Sequence, residues 1–277
     1  MESPISVERH DRVAVVWLDR PRKLNALAPA FWLEFPTAVE ELGNDDDIRA
    51  VVVAAKGRAF TVGLDLGAFG PALATGTLDP DAEVPASSVA QRKALRQLIK
   101  TMQHTVSSVA QCPKPVIAAI HGYCIGAGVD LIAACDIRYA AANSTFSIRE
   151  TRLAMVADVG TLQRLPRIID PGSLAELAYT GRDFDVGEAA SLGLVSKVLP
   201  DAEATFEAAM ETAWLIAANS PLAVQGTKAV LRAGDGRTVD EALDYVALWN
   251  AAFLQSDDLG EALAAFVEKR DPKFEGS

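Results

Sequence analysis

The sequence predicts an α/β fold, and three observations support that prediction. Short runs of valine, isoleucine and alanine alternate with segments in which apolar residues recur at helical spacing. Turns rich in glycine and proline separate these segments, and the order strand, turn, helix recurs three times. Half of the 277 residues are hydrophobic, which is enough to fill a substantial core.

The elements of the first part of the chain follow from these patterns. Continuous apolar runs predict buried strands at residues 13–18, 50–55 and 116–120. Apolar residues at helical spacing, or filling a short buried segment, predict helices at residues 29–42, 91–110 and 128–134. Two further short strands are expected at residues 137–140 and 145–148. Residues 67–88 hold proline, glycine, alanine and acidic residues without clear periodicity, so we expect a mobile loop there that could cover a site.

Strand signals end after Pro200, and the rest of the chain is expected to be helical. Helices are predicted at residues 204–218, 221–232, 239–253 and 258–269. We therefore divide the chain into a core with the active site, residues 1–200, and a C-terminal helical region, residues 201–277. Because this region is short for an independent domain, its apolar faces are expected to cover the core or a neighbouring subunit.

Composition excludes several classes of function. The net charge is −11 and no strongly basic run is present, which argues against nucleic acid as a partner. The three cysteines and three histidines show no metal-ligand spacing, so we expect no metal. The longest apolar stretch, residues 115–120, is too short to cross a bilayer, so no membrane partner is expected. Neither end of the sequence resembles a targeting signal, which leads us to expect a cytoplasmic protein.

Two glycine-containing turns are candidates for binding an anionic oxygen. One turn spans residues 60–66 with Gly63 inside it, and the other is Gly126-Ala127-Gly128 before a predicted helix. Glycine lets a backbone approach closely, and the first N–H groups of a helix lie at the positive end of its dipole. Donors from both turns could together form an oxyanion hole. Tight packing of strand on helix is the alternative explanation for either turn alone.

Three carboxylates, Asp130, Glu150 and Asp158, follow the second turn. Carboxylates held beside an oxyanion hole can remove and return protons next to a carbonyl. Structural roles remain open for each one. Asp130 could pair with a buried arginine, Glu150 could pair with Arg149 or Arg152, and Asp158 could cap the helix after it.

These motifs together resemble the enoyl-CoA hydratase/isomerase (crotonase) superfamily over nearly the whole chain. The resemblance is carried by residues 20–27, 57–66, 114–118, 121–136 and 160–165. It implies a spiral of ββα repeats with a C-terminal helical trimerisation region, assembled as a homotrimer or a dimer of trimers. It also implies an acyl-CoA substrate whose thioester oxygen binds the N–H groups of Leu64 and Ala127. The superfamily usually has glycine where this chain has Ala127.

Within the superfamily, residues 124–131, 134–139 and 156–166 resemble the Δ3,5-Δ2,4-dienoyl-CoA isomerases. That likeness implies isomerisation of 3,5-dienoyl-CoA to 2,4-dienoyl-CoA in the oxidation of unsaturated fatty acids. We assign Glu150 as the base at C2 and Asp158 as the proton donor at C6, with Asp130 assisting. Hydratases carry glutamate at the position of Asp130 and glycine at that of Asp158. The segment 152–156 is less typical of the isomerases, so the pocket wall is expected to differ.

The resemblance also suggests which residues bind the substrate: Arg22, Lys23, Ala26, Gly63, Leu64, Asp65, Leu66 and Gly128. A solvated surface is the alternative for the basic residues, and a structural or capping role for Asp65. Coenzyme A enters only as part of the substrate, and no cofactor is expected. Two rival functions remain: an enoyl-CoA hydratase that adds water to 2-enoyl-CoA, and a non-catalytic protein that binds acyl-CoA.

Overall fold

The computed structural model describes residues 3–79 and 81–277, which form nine named strands and eleven α-helices. The strands are β1 (Ile5–His10), β2 (Val13–Leu18), β3 (Ala50–Ala55), β4 (Val116–Ile120), β5 (Tyr123–Ile125), β6 (Ile137–Ala141), β7 (Thr145–Ser147), β8 (Phe184–Asp185) and β9 (Lys197–Leu199). The helices of the first half are α1 (Phe31–Asn44), α2 (Leu66–Thr75), α3 (Ser88–Gln111) and α4 (Ala127–Ala134). Those of the second half are α5 (Thr161–Arg164), α6 (Pro171–Thr180), α7 (Val186–Ser191), α8 (Ala202–Ala217), α9 (Pro221–Ala233), α10 (Val239–Phe253) and α11 (Asp257–Glu268).

A six-stranded sheet in the order β1-β2-β3-β4-β6-β9 forms the centre of the fold. Strand β1 runs antiparallel to β2, and all other neighbours are parallel. Every residue of β3 is buried because side chains on its two faces enter different cores. Val51 and Val53 join the larger core, whereas Val52 packs in the cluster that contains Met210 of α8. Helices on both faces explain why parallel strands read as continuous apolar runs.

A second, three-stranded sheet in the order β5-β7-β8 lies at the entrance to α4. Strand β5 pairs in parallel with β7, and the N–H of Gly126 donates to the carbonyl of Ser147 over 2.8 Å. This hydrogen bond holds the turn before α4 close to the segment that follows β7. The turn and that segment both contribute to the cavity described below.

The C-terminal helices are joined to the core by buried polar contacts. Lys228 of α9 donates to the carboxylate of Asp136 over 2.6 Å and to the carbonyl of Lys114 over 2.9 Å. Arg49 donates to the carbonyl of Phe274 over 2.5 Å, which fixes the last residues against the end of β3. Apolar side chains of α9–α11 remain exposed in the single chain, among them Leu248 and Phe266.

The predicted elements are largely confirmed. The first three predicted strands have the bounds of β2, β3 and β4, and each predicted helix matches an observed helix to within a few residues. The prediction of a loop at 67–88 is wrong for its first half, where α2 forms. Helix α2 is capped at its start by Asp65 and at its end by Gly76, whose backbone is in the left-handed region. The helix buries the side chains of Phe69 and Ala72. Packing of these two side chains overrides the unfavourable glycine and proline content.

Strand β1 was not predicted because only Ile5 of its six residues is buried. An edge strand with charged residues gives no apolar run to recognise. The division at residue 200 stays a prediction. Within the described ranges, none of the helices combines the length and the apolar composition that crossing a membrane requires.

Candidate active site

A cavity of about 750 Å³ opens between the two glycine-containing turns, helices α2 and α3, and the segment 149–159. Its wall is predominantly apolar, with a few polar groups that converge on it. The residues that line it are Val62, Gly63, Leu64, Leu66, Phe69, Leu73, Leu95, Leu98, Ile99, Met102, Tyr123, Ile125, Gly126, Ala127, Arg149, Glu150, Leu153, Met155, Val156, Asp158, Val159 and Asp183. An apolar cleft with few polar groups is typical of a small-molecule site.

The two turns lie against each other at one end of the cavity. The N–H of Thr61 donates to the carbonyl of Tyr123 over 2.8 Å, and the N–H of Ile125 returns a bond of 3.1 Å to Thr61. Gly63 has φ +83°, and a Cβ added there would lie 2.7 Å from the carbonyl oxygen of Ile125. The same added atom would lie 3.6 Å from the backbone nitrogen of Ala127. The close approach of the turns therefore requires glycine at position 63.

Leu64 and Ala127 present their backbone N–H groups at this end of the cavity. Both residues line it, and neither N–H donates a hydrogen bond within the part of the chain that the structure describes. Ala127 is the first residue of α4, where N–H groups have no partner inside the helix. The two predicted oxyanion donors are thus brought together, one from each turn, and both are available to a ligand.

Glu150 lies over the second turn. It begins the short 3-10 turn Glu150–Leu153, and a Cβ added at Gly126 would lie 3.3 Å from its Oε1. Its Oε2 is buried and has no hydrogen-bond partner among the described residues. Burial, together with the neighbouring charges of Asp130 and Asp158, raises the pKa of Glu150 to about 7. A carboxyl group with a pKa near neutrality is suited to act as a general base.

Asp158, eight residues after Glu150, also lines the cavity, and the residue is exposed to solvent. Desolvation by the wall raises its pKa, although a hydrogen bond from its own backbone opposes the shift. It makes no ion pair within the described residues. Its carbonyl oxygen accepts a hydrogen bond of 2.7 Å from Nε2 of Gln103 in α3, which fixes the segment to that helix.

Asp130 lies behind the cavity wall, fully buried in α4. Its Oδ1 accepts a hydrogen bond of 2.5 Å from the N–H of Thr161, the first residue of α5. Burial raises the pKa of Asp130 to about 6, although the contacts with Thr161 oppose the shift. Asp130 is not among the residues that line the cavity, and its side chain contacts the backbone at the start of α5 instead. Its part in the reaction stays a prediction.

The structural alternatives for the three acids are answered by these contacts. Arg149 pairs with Asp183, so neither it nor Arg152 forms an ion pair with Glu150. Asp158 does not cap α5, since the N–H of Thr161 is taken by Asp130 instead. Among the described residues, Glu150 and Asp158 therefore have no ion-pair partner, and both lie on the wall of one cavity.

The remaining predicted binding residues divide into three groups, and the first two differ in whether they line the cavity. Gly63, Leu64 and Leu66 line the cavity. Arg22 and Lys23 lie on the exposed turn Pro21–Lys23, outside the cavity, and the carbonyl of Ala26 accepts a bond from Arg20 over 2.5 Å. Contact of these three residues with a substrate stays a prediction.

Two predicted binding residues have structural contacts instead. The carboxylate of Asp65 caps α2 by accepting from Ala68 over 3.2 Å and pairs with Arg20 over 3.0 Å. Its contact with a substrate stays a prediction. Gly128 is buried inside α4, where a Cβ would lie 2.5 Å from Cγ2 of Thr61. Close packing therefore requires glycine at this position, and its contact with a substrate stays a prediction.

Sequence reasoning missed Arg149 and Asp183, which both line the cavity and pair with each other. They are 34 residues apart, and no motif links them. It also missed the apolar wall from Phe69 and Leu73, because α2 was expected to be a loop. His, Cys, Asp and Glu side chains do not gather into a group of three or more that could hold a metal ion, as far as the described ranges extend.

The raised pKa of Glu150 predicts that stability depends on pH. Its folded pKa of about 7 lies above the ordinary value of 4.5 for a glutamate. Below pH 4.5 both states are protonated, so there is no cost. As pH rises towards 7, only the unfolded state loses the proton, and stability falls by up to about 3 kcal/mol. We expect Glu150→Gln to gain stability relative to wild type between pH 4.5 and pH 8, measured as the difference in Tm. A difference in Tm that stays constant with pH would contradict this account.

The chain matches a family model described as Enoyl-CoA hydratase/isomerase over residues 8–277. It is 44% identical over 272 residues to the mitochondrial Delta(3,5)-Delta(2,4)-dienoyl-CoA isomerase of Dictyostelium discoideum, covering 98% of this chain and 90% of the relative. It is 46% identical to the peroxisomal protein of the same name from Arabidopsis thaliana, covering 93% and 90%. The crystal structure of an enoyl-CoA hydratase from Bacillus anthracis superimposes with a TM-score of 0.87 at 32% identity, over 99% of this chain and 100% of that one.

These matches confirm the predicted fold class and correct the predicted location. The two relatives are named as mitochondrial and peroxisomal, which contradicts the expectation of a cytoplasmic protein. Location is set by short signals that receptors read, and the fold and chemistry of the chain carry no such information.

Proposed function

Because this chain belongs to the enoyl-CoA hydratase/isomerase family, we propose that it isomerises 3,5-dienoyl-CoA thioesters to 2,4-dienoyl-CoA thioesters in the oxidation of unsaturated fatty acids. One observation carries this proposal. Glu150 and Asp158, which form no ion pair within ranges 3–79 and 81–277, lie on the wall of an apolar cavity. At its end lie the amides of Leu64 and Ala127, which donate to no group in those ranges. The reaction needs proton transfer at two separated carbons, which two acids along one cavity can perform.

The reaction begins at the amides. The thioester oxygen accepts hydrogen bonds from the N–H groups of Leu64 and Ala127, which stabilise the negative charge as it develops. Glu150 removes a proton from C2, and the electron pair spreads over the dienolate from the thioester oxygen to C6. Asp158, in its protonated form, donates a proton to C6. The double bonds move to C2 and C4, and no atoms are gained or lost overall.

Asp130 supports this chemistry without touching the substrate. It fixes the N–H of Thr161 and thereby the end of the segment that carries Asp158. Its charge also raises the pKa of Glu150, which makes that residue a stronger base. We propose a positioning and electrostatic role for Asp130.

A paired assay tests the proposal directly. Isomerisation creates a conjugated dienoyl thioester, so ultraviolet absorption rises when 3,5-dienoyl-CoA is supplied. Hydration of 2-enoyl-CoA removes conjugation, so absorption falls. We expect turnover of the first substrate to exceed that of the second. Hydration without isomerisation would overturn the proposal, and binding without turnover of either would support a non-catalytic acyl-CoA-binding protein.

The hydratase alternative requires two acids around one water molecule. Asp130, which stands where hydratases have glutamate, does not line the cavity and bonds to Thr161. Asp158 has no counterpart among the acids of typical hydratases. The positions of these two residues therefore favour the isomerase.

The partners follow from the same site. The substrate is an acyl-CoA, with coenzyme A as part of it and without a further cofactor, and Arg22, Lys23 and Ala26 would contact the nucleotide end. The exposed apolar side chains of α9–α11, such as Leu248 and Phe266, would be covered in a homotrimer or a dimer of trimers.

Gly63→Ala is expected to lower kcat/KM for isomerisation by roughly 10²-fold or more, because the added Cβ forces the turn that carries Leu64 away from Ala127. Steady-state kinetics on 3,5-dienoyl-CoA measure the effect. Gly260→Ala is the matched control, since a Cβ there meets nothing within 4 Å. Equal activity in the two variants would show that the geometry of this turn does not govern the reaction.

A further inference from the structure

An ion pair on the cavity wall has no role in the reaction described so far. Arg149 and Asp183 both line the cavity, and a guanidinium nitrogen of Arg149 contacts Oδ1 of Asp183. The Nε of Arg149 also donates to Oγ of Ser147 over 3.2 Å. Ser147 is fully buried and donates in turn to the carbonyl of Gly181 over 3.0 Å. The guanidinium is thus held from two sides.

Arg149 directly precedes Glu150 in the chain, yet the two side chains do not pair. Oε2 of Glu150 is buried and lacks a partner among the described residues. An arginine and a carboxylate within reach normally form a strong, charge-assisted hydrogen bond. The guanidinium of Arg149 contacts the carboxylate of Asp183 instead.

We propose that Asp183 is a positioning residue for the reaction, because it holds the guanidinium of Arg149 away from Glu150 and leaves Glu150 free as a base. This inference rests on the proposed function, in which Glu150 removes the proton at C2. If Arg149 were released, it would pair with Glu150 and favour its ionised form. A carboxylate next to an arginine has its pKa lowered by about 1–3 units, and its strength as a base falls accordingly.

The other charged groups near Glu150 do not take the place of Arg149 as a possible ion-pair partner. From α4 and from the segment 157–160, the carboxyl groups of Asp130 and Asp158 lie near it, and their charge raises its pKa. Arg164 of α5 interacts with Asp130 and donates to Ser107 and to the carbonyl of Val159.

Two further basic residues lie near the same segment and are directed elsewhere. Arg152 packs its methylene groups against Gly181, where an added Cβ would lie 2.8 Å from its Cγ. Arg182 pairs with Glu176 of α6 and with Glu188 of α7. Among these described arginines, Arg149 is therefore the one that lines the cavity beside Glu150.

The test compares how kcat/KM for 3,5-dienoyl-CoA depends on pH in four proteins. They are the wild type, Asp183→Asn, Arg149→Gln and the double variant Arg149→Gln/Asp183→Asn. In Asp183→Asn we expect the acid limb of the profile to move to lower pH by about one unit. In the double variant we expect the limb to stay where it lies in Arg149→Gln, since no guanidinium remains to be released.

Glu176→Gln is the matched control, because it removes a carboxylate that pairs with an arginine outside the cavity. Asp183 is half exposed, with a side-chain accessibility of 52%, so its replacement by asparagine is compatible with folding. An unmoved limb in Asp183→Asn would overturn the proposal. An equal shift in both backgrounds would also overturn it, since the effect would then come from loss of the Asp183 charge alone.

A second measurement separates this inference from the proposed function. The carboxyl carbon of Glu150 can be titrated by NMR in protein labelled with ¹³C-glutamate, with Glu150→Gln identifying the signal. The pKa of Glu150 is expected to be lower in Asp183→Asn than in the wild type. It is expected to be the same in the double variant as in Arg149→Gln. This titration needs no turnover. It therefore tests the effect of Asp183 on the pKa of Glu150 even if the protein does not isomerise 3,5-dienoyl-CoA.

Discussion

Asp158→Asn is expected to lower kcat for isomerisation by about 10²–10⁴-fold while leaving the affinity for acyl-CoA within a few fold of wild type. The amide cannot supply a proton to C6, so the dienolate has no route to product. Asparagine keeps the shape of the side chain, and the hydrogen bond from Gln103 to the backbone at this position is unaffected. Stopped-flow or steady-state absorbance measures the rate, and calorimetry measures binding.

Asp46→Asn is the matched control, because Asp46 is exposed and does not line the cavity. Its rate is expected to equal that of wild type. Wild-type activity in Asp158→Asn would assign the proton donor to another group and remove the main distinction from hydratases. A large loss of affinity instead would indicate a binding role for this side chain.

Glu150→Gln is expected to reduce kcat by a similar factor, about 10²–10⁴-fold, for a different reason. Glutamine cannot accept the proton from C2, so the dienolate never forms. Because the carboxyl of Glu150 lies against Gly126 and close to the amides, the isosteric replacement preserves the packing there. Loss of activity at every pH, together with normal binding, is the expected result.

Deuterium oxide distinguishes the two variants. In Asp158→Asn, Glu150 still removes the proton at C2 and returns a deuteron, so recovered substrate should carry deuterium at C2. In Glu150→Gln, recovered substrate should carry none. Mass spectrometry of the acyl group reads the label. Exchange in Glu150→Gln but not in Asp158→Asn would reverse the assignment of base and acid.

Much of the site was predictable because its groups belong to local motifs. Gly63 and Leu64 share one turn, and Ala127 begins the helix that the next glycine-rich turn introduces. Backbone amides depend little on distant side chains, so a turn sequence identifies them. The strands were predictable for a similar reason, since burial on both faces imposes a continuous apolar run such as β3.

The parts that sequence reasoning missed depend on contacts between distant segments. Whether Asp130 faces the cavity is decided by where α5 begins, because the N–H of Thr161 takes its carboxylate. Asp183 reaches the site only because β8 pairs with β7 and brings the preceding residues to Arg149. Helix α2 forms because Phe69 and Ala72 find a core to enter, a fact of packing that composition does not record.

The hydrogen bond from Gln103 to the carbonyl of Asp158 links helix α3 to the backbone of a proposed catalytic residue. This helix spans Ser88–Gln111, and Lys100 supports Gln103 through a further bond of 2.9 Å to its side-chain oxygen. A substitution on this stretch of α3 would change the position of Asp158, the proposed proton donor to C6, through the main chain alone. Laboratory evolution could therefore adjust the enzyme's rate from outside the pocket, with every group that meets the substrate left as it is.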